Sequence, residues 1–305
     1  MLQSIDVQEA EKLRWLTALD FLWLEVTRKC NLQCAHCYAG SDPTLPITGA
    51  MEYEDWRRIL EQGFSLGCKT VQFIGGEPIL YPHLLQLVAD AKSIGYGFVE
   101  VFTNGTLLSD SVLQILRQSG VKLAFSLYAH SAQVHEGITR CKGSFRKTLK
   151  GMHRALHYDF PVRVGIIAMD ANVDELEETK NLLRKIGVTS IGIDRVRGIG
   201  RGSELVPNKD PFSELCGSCW KGKLCIDPDG NAFPCVFSVF YPLGNAKQGI
   251  GFILESKRLQ TFRRRVRDQE ISLTGCNPDT CYPQTKPCGP DCAPSCAPCV
   301  PDIRW

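Results

Sequence analysis

Cys30, Cys34 and Cys37 place three thiols within eight residues, in the run Cys-Asn-Leu-Gln-Cys-Ala-His-Cys. Thiolates are soft ligands that suit zinc or iron–sulfur centres. Three of them this close can wrap one face of a cubane cluster and leave one iron open to a substrate or cofactor. A structural zinc site is the alternative; it ordinarily takes four ligands with two-residue spacings, and His36 could supply the fourth. Ten further cysteines lie between Cys216 and Cys299, while Cys68 and Cys141 stand alone. Fifteen cysteines in a chain whose first residues, MLQSIDVQEAEKLRW, are polar and acidic rather than a secretory signal point to reduced thiols and metal ligation, not disulfides. A cytoplasmic location is the resulting expectation.

A second group is Gly75-Gly76-Glu77-Pro78. Glycine lets a backbone approach a ligand closely, and Glu77 offers an acceptor for an ammonium group. Taken alone, the run reads by default as a turn with a solvated glutamate.

The elements that must position these groups show two alternating patterns. Apolar, β-branched segments at Phe21–Val26, Thr70–Gly75, Phe98–Thr103, Val121–Tyr128, Val162–Met169 and Thr189–Asp194 read as buried parallel strands. Amphipathic helical runs separate them: EDWRRILEQGFSLG, HLLQLVADAKSIG, SDSVLQILRQSG and DELEETKNLLRKIG. Six strand–helix units in about 180 residues are too few for the eight-unit barrel, which takes about 250. The α/β expectation is therefore a partial (β/α)6 TIM-type barrel with a C-terminal Cys-rich auxiliary-cluster domain. A doubly wound sheet satisfies the same periodicity. Boundaries fall at 1–20 for an N-terminal extension, 21–202 for the barrel and 203–305 for the Cys-rich module. The last thirty residues hold seven prolines and no regular pattern, so metal must order them. A net charge of +2 gives no reason to expect nucleic acid, and no apolar run is long enough to span a membrane.

CxxxCxxC after the first strand, followed by GGEP at the end of the second, resembles the radical S-adenosylmethionine (SAM) superfamily. The resemblance implies a 4Fe–4S cluster on Cys30, Cys34 and Cys37 whose open iron chelates SAM. It implies cleavage of SAM to a 5′-deoxyadenosyl radical that abstracts hydrogen from substrate. His36 and Tyr38 would lie near the adenine. Gly75, Gly76, Glu77 and Pro78 would take the SAM amino group, with Asn104 ending the third strand. Ser126 would contact the ribose, and Arg140 or Arg146 the carboxylate. Cys141, after Arg140, could donate a hydrogen atom as epimerising members require; an incidental loop cysteine is the plainer reading.

Cys219-x5-Cys225-x4-Gly230-x4-Cys235 resembles the opening of the SPASM extension, which carries two auxiliary 4Fe–4S clusters. By that resemblance Cys219, Cys225, Cys235 and Cys292 bind the first. Cys276, Cys281, Cys288 and either Cys296 or Cys299 bind the second, and Cys216 can substitute for Cys219. The later spacings depart from the usual pattern, which leaves this partition open. A zinc ribbon is the other reading.

The implied function is a radical SAM oxidoreductase of the peptide-maturase type, acting on a ribosomally made precursor by crosslinking, epimerisation or oxidation. The alternatives are a small-molecule dehydrogenase or decarboxylase, and, from another class, a zinc-stabilised binding protein without catalysis. Because the barrel starts by Phe21, no leader-binding domain is expected before it, and a separate leader-peptide recognition protein would fill that role. A flavodoxin or ferredoxin is the implied electron donor.

Overall fold

The computed structural model describes residues 14–207 and 210–274. Six parallel strands stand at the expected places: β1 (Phe21–Thr27), β2 (Thr70–Gly75), β3 (Phe98–Thr103), β4 (Lys122–Ser126), β5 (Val162–Ala168) and β6 (Ser190–Arg195). The connecting helices are α1 (Tyr53–Ser65), α2 (Leu84–Ile94), α3 (Asp110–Gln118), α4 (Ala132–Thr139), α5 (Ser144–His157) and α6 (Leu176–Lys185). Ser109 caps α3, its hydroxyl accepting from the Val112 N–H, and Gly95 ends α2 in the left-handed conformation at φ 114°.

Strand alternation splits the side chains between two faces. Leu22, Leu24, Val71, Phe73, Val99, Val101, Leu123 and Phe125 pack outward against Trp56, Ile59, Leu60, Leu87 and Val88 of the helices. Each such side chain, taken fully from water, contributes about 1.5–3 kcal/mol. Phe21, Trp23 and Ile74 face the other way, into the barrel. A polar layer crosses the interior there. Arg163 donates to both oxygens of the fully buried Glu100, at 2.8 and 2.7 Å, and Gln72 donates to the same carboxylate.

Past β6 the chain forms β7 (Lys223–Ile226), β8 (Asn231–Phe233) and β9 (Gly244–Asn245), then helices α7 (Ile250–Glu255) and α8 (Lys257–Thr274). β7 pairs in parallel with β1, from Phe21↔Lys223 to Leu24↔Ile226, and β8 returns antiparallel to it. The sheet order is β6-β5-β4-β3-β2-β1-β7-β8-β9. The Cys219–Cys235 stretch, which resembles the opening of the SPASM extension, thus continues the barrel sheet beyond β1. Four residues, Lys-Leu-Cys-Ile, carry no signal for that distant partner. No helix among the described residues is long and apolar enough to cross a membrane.

Candidate active site

The three-cysteine loop leaves β1 through an irregularity in its pairing with β2, between Glu25 and Thr27. Such bulges re-aim the following chain. Thr27 then accepts from the Lys29 N–H at 3.1 Å and donates to the Ile47 carbonyl at 2.6 Å. The loop is fastened from α4, with the Gln33 and Ala35 N–H groups donating to Thr139 and Ile138 carbonyls. It is fastened again from behind β6. Arg201 donates to the carbonyls of Cys34 (2.9 Å), Gly40 (2.8 Å) and Ser41 (2.7 Å), and its own N–H reaches the Cys37 carbonyl at 3.0 Å. Gly200 makes this approach feasible, since a Cβ there would lie 2.3 Å from the Tyr38 carbonyl.

Cys30, Cys34 and Cys37 open into one cavity at the C-terminal ends of the strands, enclosing about 1150 Å³ including its mouth. His36, Tyr38, Gly75, Gly76, Asn104 and Ser126 line it too, so most of the expected residues are brought together. Asn104 holds Cys30, its amide donating to Asn31 at 2.9 Å and lying 3.7 Å from the Cys30 sulfur. His36 is edge-on to Tyr128 at 4.6 Å. Burial lowers its pKa to about 4, so the ring is neutral, and its buried Nδ1 has no hydrogen-bond partner among the described residues. Tyr38 turns toward the auxiliary side: its hydroxyl donates to Glu25 at 2.9 Å and its ring meets Phe237. Ser126 and Cys34 both lie within hydrogen-bond reach of the Tyr128 hydroxyl.

Glu77 stands apart from this lining. Its carboxylate is fully buried and accepts from the Ile79 N–H (3.1 Å), the Thr103 hydroxyl (2.7 Å) and the Asn104 N–H (2.8 Å). Three donors from two segments, the turn after β2 and the end of β3, meet on this carboxylate, so the side chain ties β2 to the end of β3. Burial raises its pKa to about 7. Gly75 and Gly76 likewise serve the loop. A Cβ on either would lie 2.2–2.3 Å from the carbonyls of Lys29 and Thr27 respectively reached by Gly76 and Gly75, and the Gly76 and Glu77 N–H groups donate to Thr27 and Lys29. The close approach is therefore to the cysteine loop. Pro78 is buried in the short turn that follows.

Like Glu77 and Pro78, three further expected residues do not line the cavity. Arg140 is exposed and serves as the left-handed cap of α4, at φ 53°. Arg146 is exposed on α5. Cys141 is half-buried, its thiol directed at the Lys142 carbonyl.

On the auxiliary side, the Cys219 thiol donates to Cys235 at 3.0 Å and lies within hydrogen-bond reach of Cys216, and Cys225 stands near Cys235. Cys276, Cys281, Cys288, Cys292, Cys296 and Cys299 lie outside the described residues. Val236 and Phe237, directly after Cys235, reach into the cavity itself. Arg28, two residues before Cys30, binds Asp227 at 2.8 Å and also Asp229, clasping the β7–β8 turn to the cysteine loop. Neither Arg28 nor Arg201 carried a sequence signal, because their partners are distant in the chain.

The donor set fits iron–sulfur ligation. Burial pushes the Cys30 thiol up to about 12 and Cys34 higher still, so a group that takes them as thiolates must bring its own positive charge, as iron does. Among the described residues no three or more His, Cys, Asp or Glu gather as one mononuclear ion requires. In a cubane each iron takes its own thiolate, which sets the sulfurs further apart.

Comparison with known proteins agrees with this geometry. The radical SAM superfamily model matches residues 24–183, and an iron–sulfur cluster-binding domain of the SPASM type matches residues 216–282. The chain is 28% identical over 254 residues to the antilisterial bacteriocin subtilosin biosynthesis protein AlbA of Bacillus subtilis, covering 72% of this chain and 56% of that protein. It is 28% identical over 181 residues to an AdoMet-dependent heme synthase of Methanosarcina barkeri, covering 59% and 51%. The chain thus spans about half the length of these curated relatives. Among solved structures it is similar to Streptococcus suis SuiB bound to S-adenosylmethionine, with TM-score 0.70, 15% identity and coverage of 84% and 70%. It is also similar to native anSMEcpe with bound AdoMet, with TM-score 0.63, 15% identity and coverage of 80% and 82%. With the three-thiol loop, the partial barrel and the matched model in accord, the chain belongs to the radical SAM superfamily.

Proposed function

We propose that this chain binds SAM beside a 4Fe–4S cluster held by Cys30, Cys34 and Cys37, and modifies a ribosomally synthesised peptide. When bound, the reduced cluster supplies the electron that cleaves SAM to methionine and a 5′-deoxyadenosyl radical able to take hydrogen from substrate. The chain's own part is placement and shielding. Arg201, Asn104 and the GGEP segment fix the cysteine loop, the neutral His36 offers its Nδ1 to a ligand, and Trp23, Phe102 and Phe237 exclude water.

The observation that carries the proposal is a shared wall. The cavity into which the three thiols open is also lined by Val236 and Phe237, next to Cys235 of the auxiliary set. Substrate held there would touch the three-thiol loop and the two residues that follow Cys235. The peptide assignment is supported by AlbA, a subtilosin biosynthesis protein, and by SuiB, whose fold this chain shares and which has been seen with its precursor peptide SuiA. Cys219, Cys225 and Cys235 would hold the first of two auxiliary clusters, with the tail cysteines completing it and holding the second. A flavodoxin or ferredoxin would reduce them in the cytoplasm, and a separate protein would present the leader peptide.

Anaerobic incubation with SAM, a reductant and candidate precursor peptides, followed by mass spectrometry, tests this reading. A peptide whose mass changes only when SAM is present supports it. 5′-Deoxyadenosine formed with a small molecule as the only altered partner would favour the metabolite enzyme instead.

A further inference from the structure

Lys223 opens β7, two residues before Cys225, and is only 4% exposed. Strand alternation puts the two side chains on one face, together with Phe21 and Trp23, their register partners on β1. That face packs with Cys219 and Cys235. The Lys223 ammonium is buried and has no hydrogen-bond partner among the described residues; it sits 5.7 Å from the centre of the Trp23 ring.

An ammonium withdrawn from water without an anion beside it is strongly disfavoured. The acidic groups of this region face other partners or solvent: Asp20, exposed, lies beside Gly222 and acts on Arg263. Glu270 accepts from Trp220 and Lys221, and Glu25 accepts from Tyr38, its pKa raised to about 7 by burial. The neighbouring cation deepens the imbalance: Arg263, fully buried, spends its donors on the carbonyls of Trp15, Leu16 and Lys223. The anion that would balance Lys223 is therefore to be sought on the side where the thiols gather.

We propose that Lys223 is the counter-charge of the auxiliary cluster held by Cys219, Cys225 and Cys235, and that it sets that cluster's reduction potential. The inference rests on the cluster assignment above. A 4Fe–4S centre with thiolate ligands carries net negative charge and gains one more on accepting an electron from a one-electron donor; no atom is transferred. The Lys223 backbone lies about 6.6 Å along the strand from that of Cys225, with both side chains on one face, and a cation on that face stabilises the reduced form and raises the potential.

Electron paramagnetic resonance titration of the reconstituted full-length protein tests this, with the Cys30–Cys34–Cys37 cluster as reference in the same sample. Lys223→Met should shift one auxiliary potential downward by at least about 59 mV, a tenfold change in a one-electron equilibrium. Lys223→Arg should hold most of the wild-type value, and the reference cluster should not move. An auxiliary potential unchanged in Lys223→Met overturns the proposal. If Lys223→Met fails to take up auxiliary iron, uptake by Lys223→Arg supports a need for charge, and failure of both variants overturns it. A wild-type protein without any auxiliary signal would sink the cluster assignment itself, an outcome distinct from an unshifted signal.

Discussion

Arg201→Met is the most informative single change in the loop that bears the three thiols. It keeps the aliphatic stem and removes a guanidinium that serves the carbonyls of Cys34, Gly40 and Ser41. Ser41 is 1% exposed, so water cannot readily replace that donor. A hydrogen bond from a charged donor there is worth about 1.5–3 kcal/mol, and the two at half-buried carbonyls about 0.5–1 kcal/mol each after solvent competition. The total of about 2.5–5 kcal/mol lowers the population of the ordered loop relative to its opened forms by roughly 10²- to 10³-fold or more. Arg201→Lys recovers less than half of this, because one ammonium lacks the planar fork that reaches three acceptors. Hydrogen exchange over residues 30–41 reads the loss directly in the apo-protein, and iron content with the resonance signal of the SAM cluster reads it after reconstitution. The auxiliary signal is the internal control. Protection across the loop that matches wild type, with a full complement of iron, would refute the claim that Arg201 positions the thiols.

Arg28→Ala should loosen the clasp between the cysteine loop and the β7–β8 turn, but the pair is partly exposed, so the cost is only about 0.5–1 kcal/mol in apo-protein unfolding; a larger loss would mean that the clasp organises more than the turn. Glu77→Gln should leave SAM affinity within about tenfold of wild type by equilibrium binding, since three internal donors occupy the carboxylate, whereas a direct charge-assisted contact is worth about 1.5–3 kcal/mol. A hundredfold loss with an unaltered unfolding midpoint would return that carboxylate to the ligand. Glu25 has a folded-state pKa of about 7, above the ordinary 4.5. Its raised value means that the stability it contributes is complete below pH 4.5 and is lost as pH rises through 7, at up to about 1.4 kcal/mol per pH unit. Denaturant unfolding of the apo-protein at pH 5 and pH 8 should show this decline, and Glu25→Gln should flatten it; an equal slope in the variant would count against the assignment.

Local pattern carried most of the barrel. The six strands are predominantly apolar, and the first five are each followed by an amphipathic helix, so periodicity marks them in the sequence. The cysteine loop and GGEP were legible as motifs, because the chemistry needs those residue types at that spacing. What the motif could not give was direction. Whether Glu77 faces a ligand or the protein depends on donors from Ile79, Thr103 and Asn104, which meet only in the folded state. Arg201 is one basic residue among 35, and the Cys34 carbonyl it holds lies 167 residues earlier. The pairing of β7 with β1 is equally non-local. Arg140, Arg146 and Cys141 were placed by analogy with a stretch after the fourth strand, and the turn at Arg140 carries them to the exterior of α4 and α5.

The central claim, that Cys30, Cys34 and Cys37 hold the cluster at which SAM is cleaved, is tested most directly by the combined Cys30→Ala, Cys34→Ala, Cys37→Ala variant. Anaerobically reconstituted and given SAM with dithionite, the wild-type chain should form 5′-deoxyadenosine. The variant should form none while retaining auxiliary iron, since Cys219, Cys225 and Cys235 stand in a separate group. 5′-Deoxyadenosine formed by the variant at the wild-type level would contradict the account.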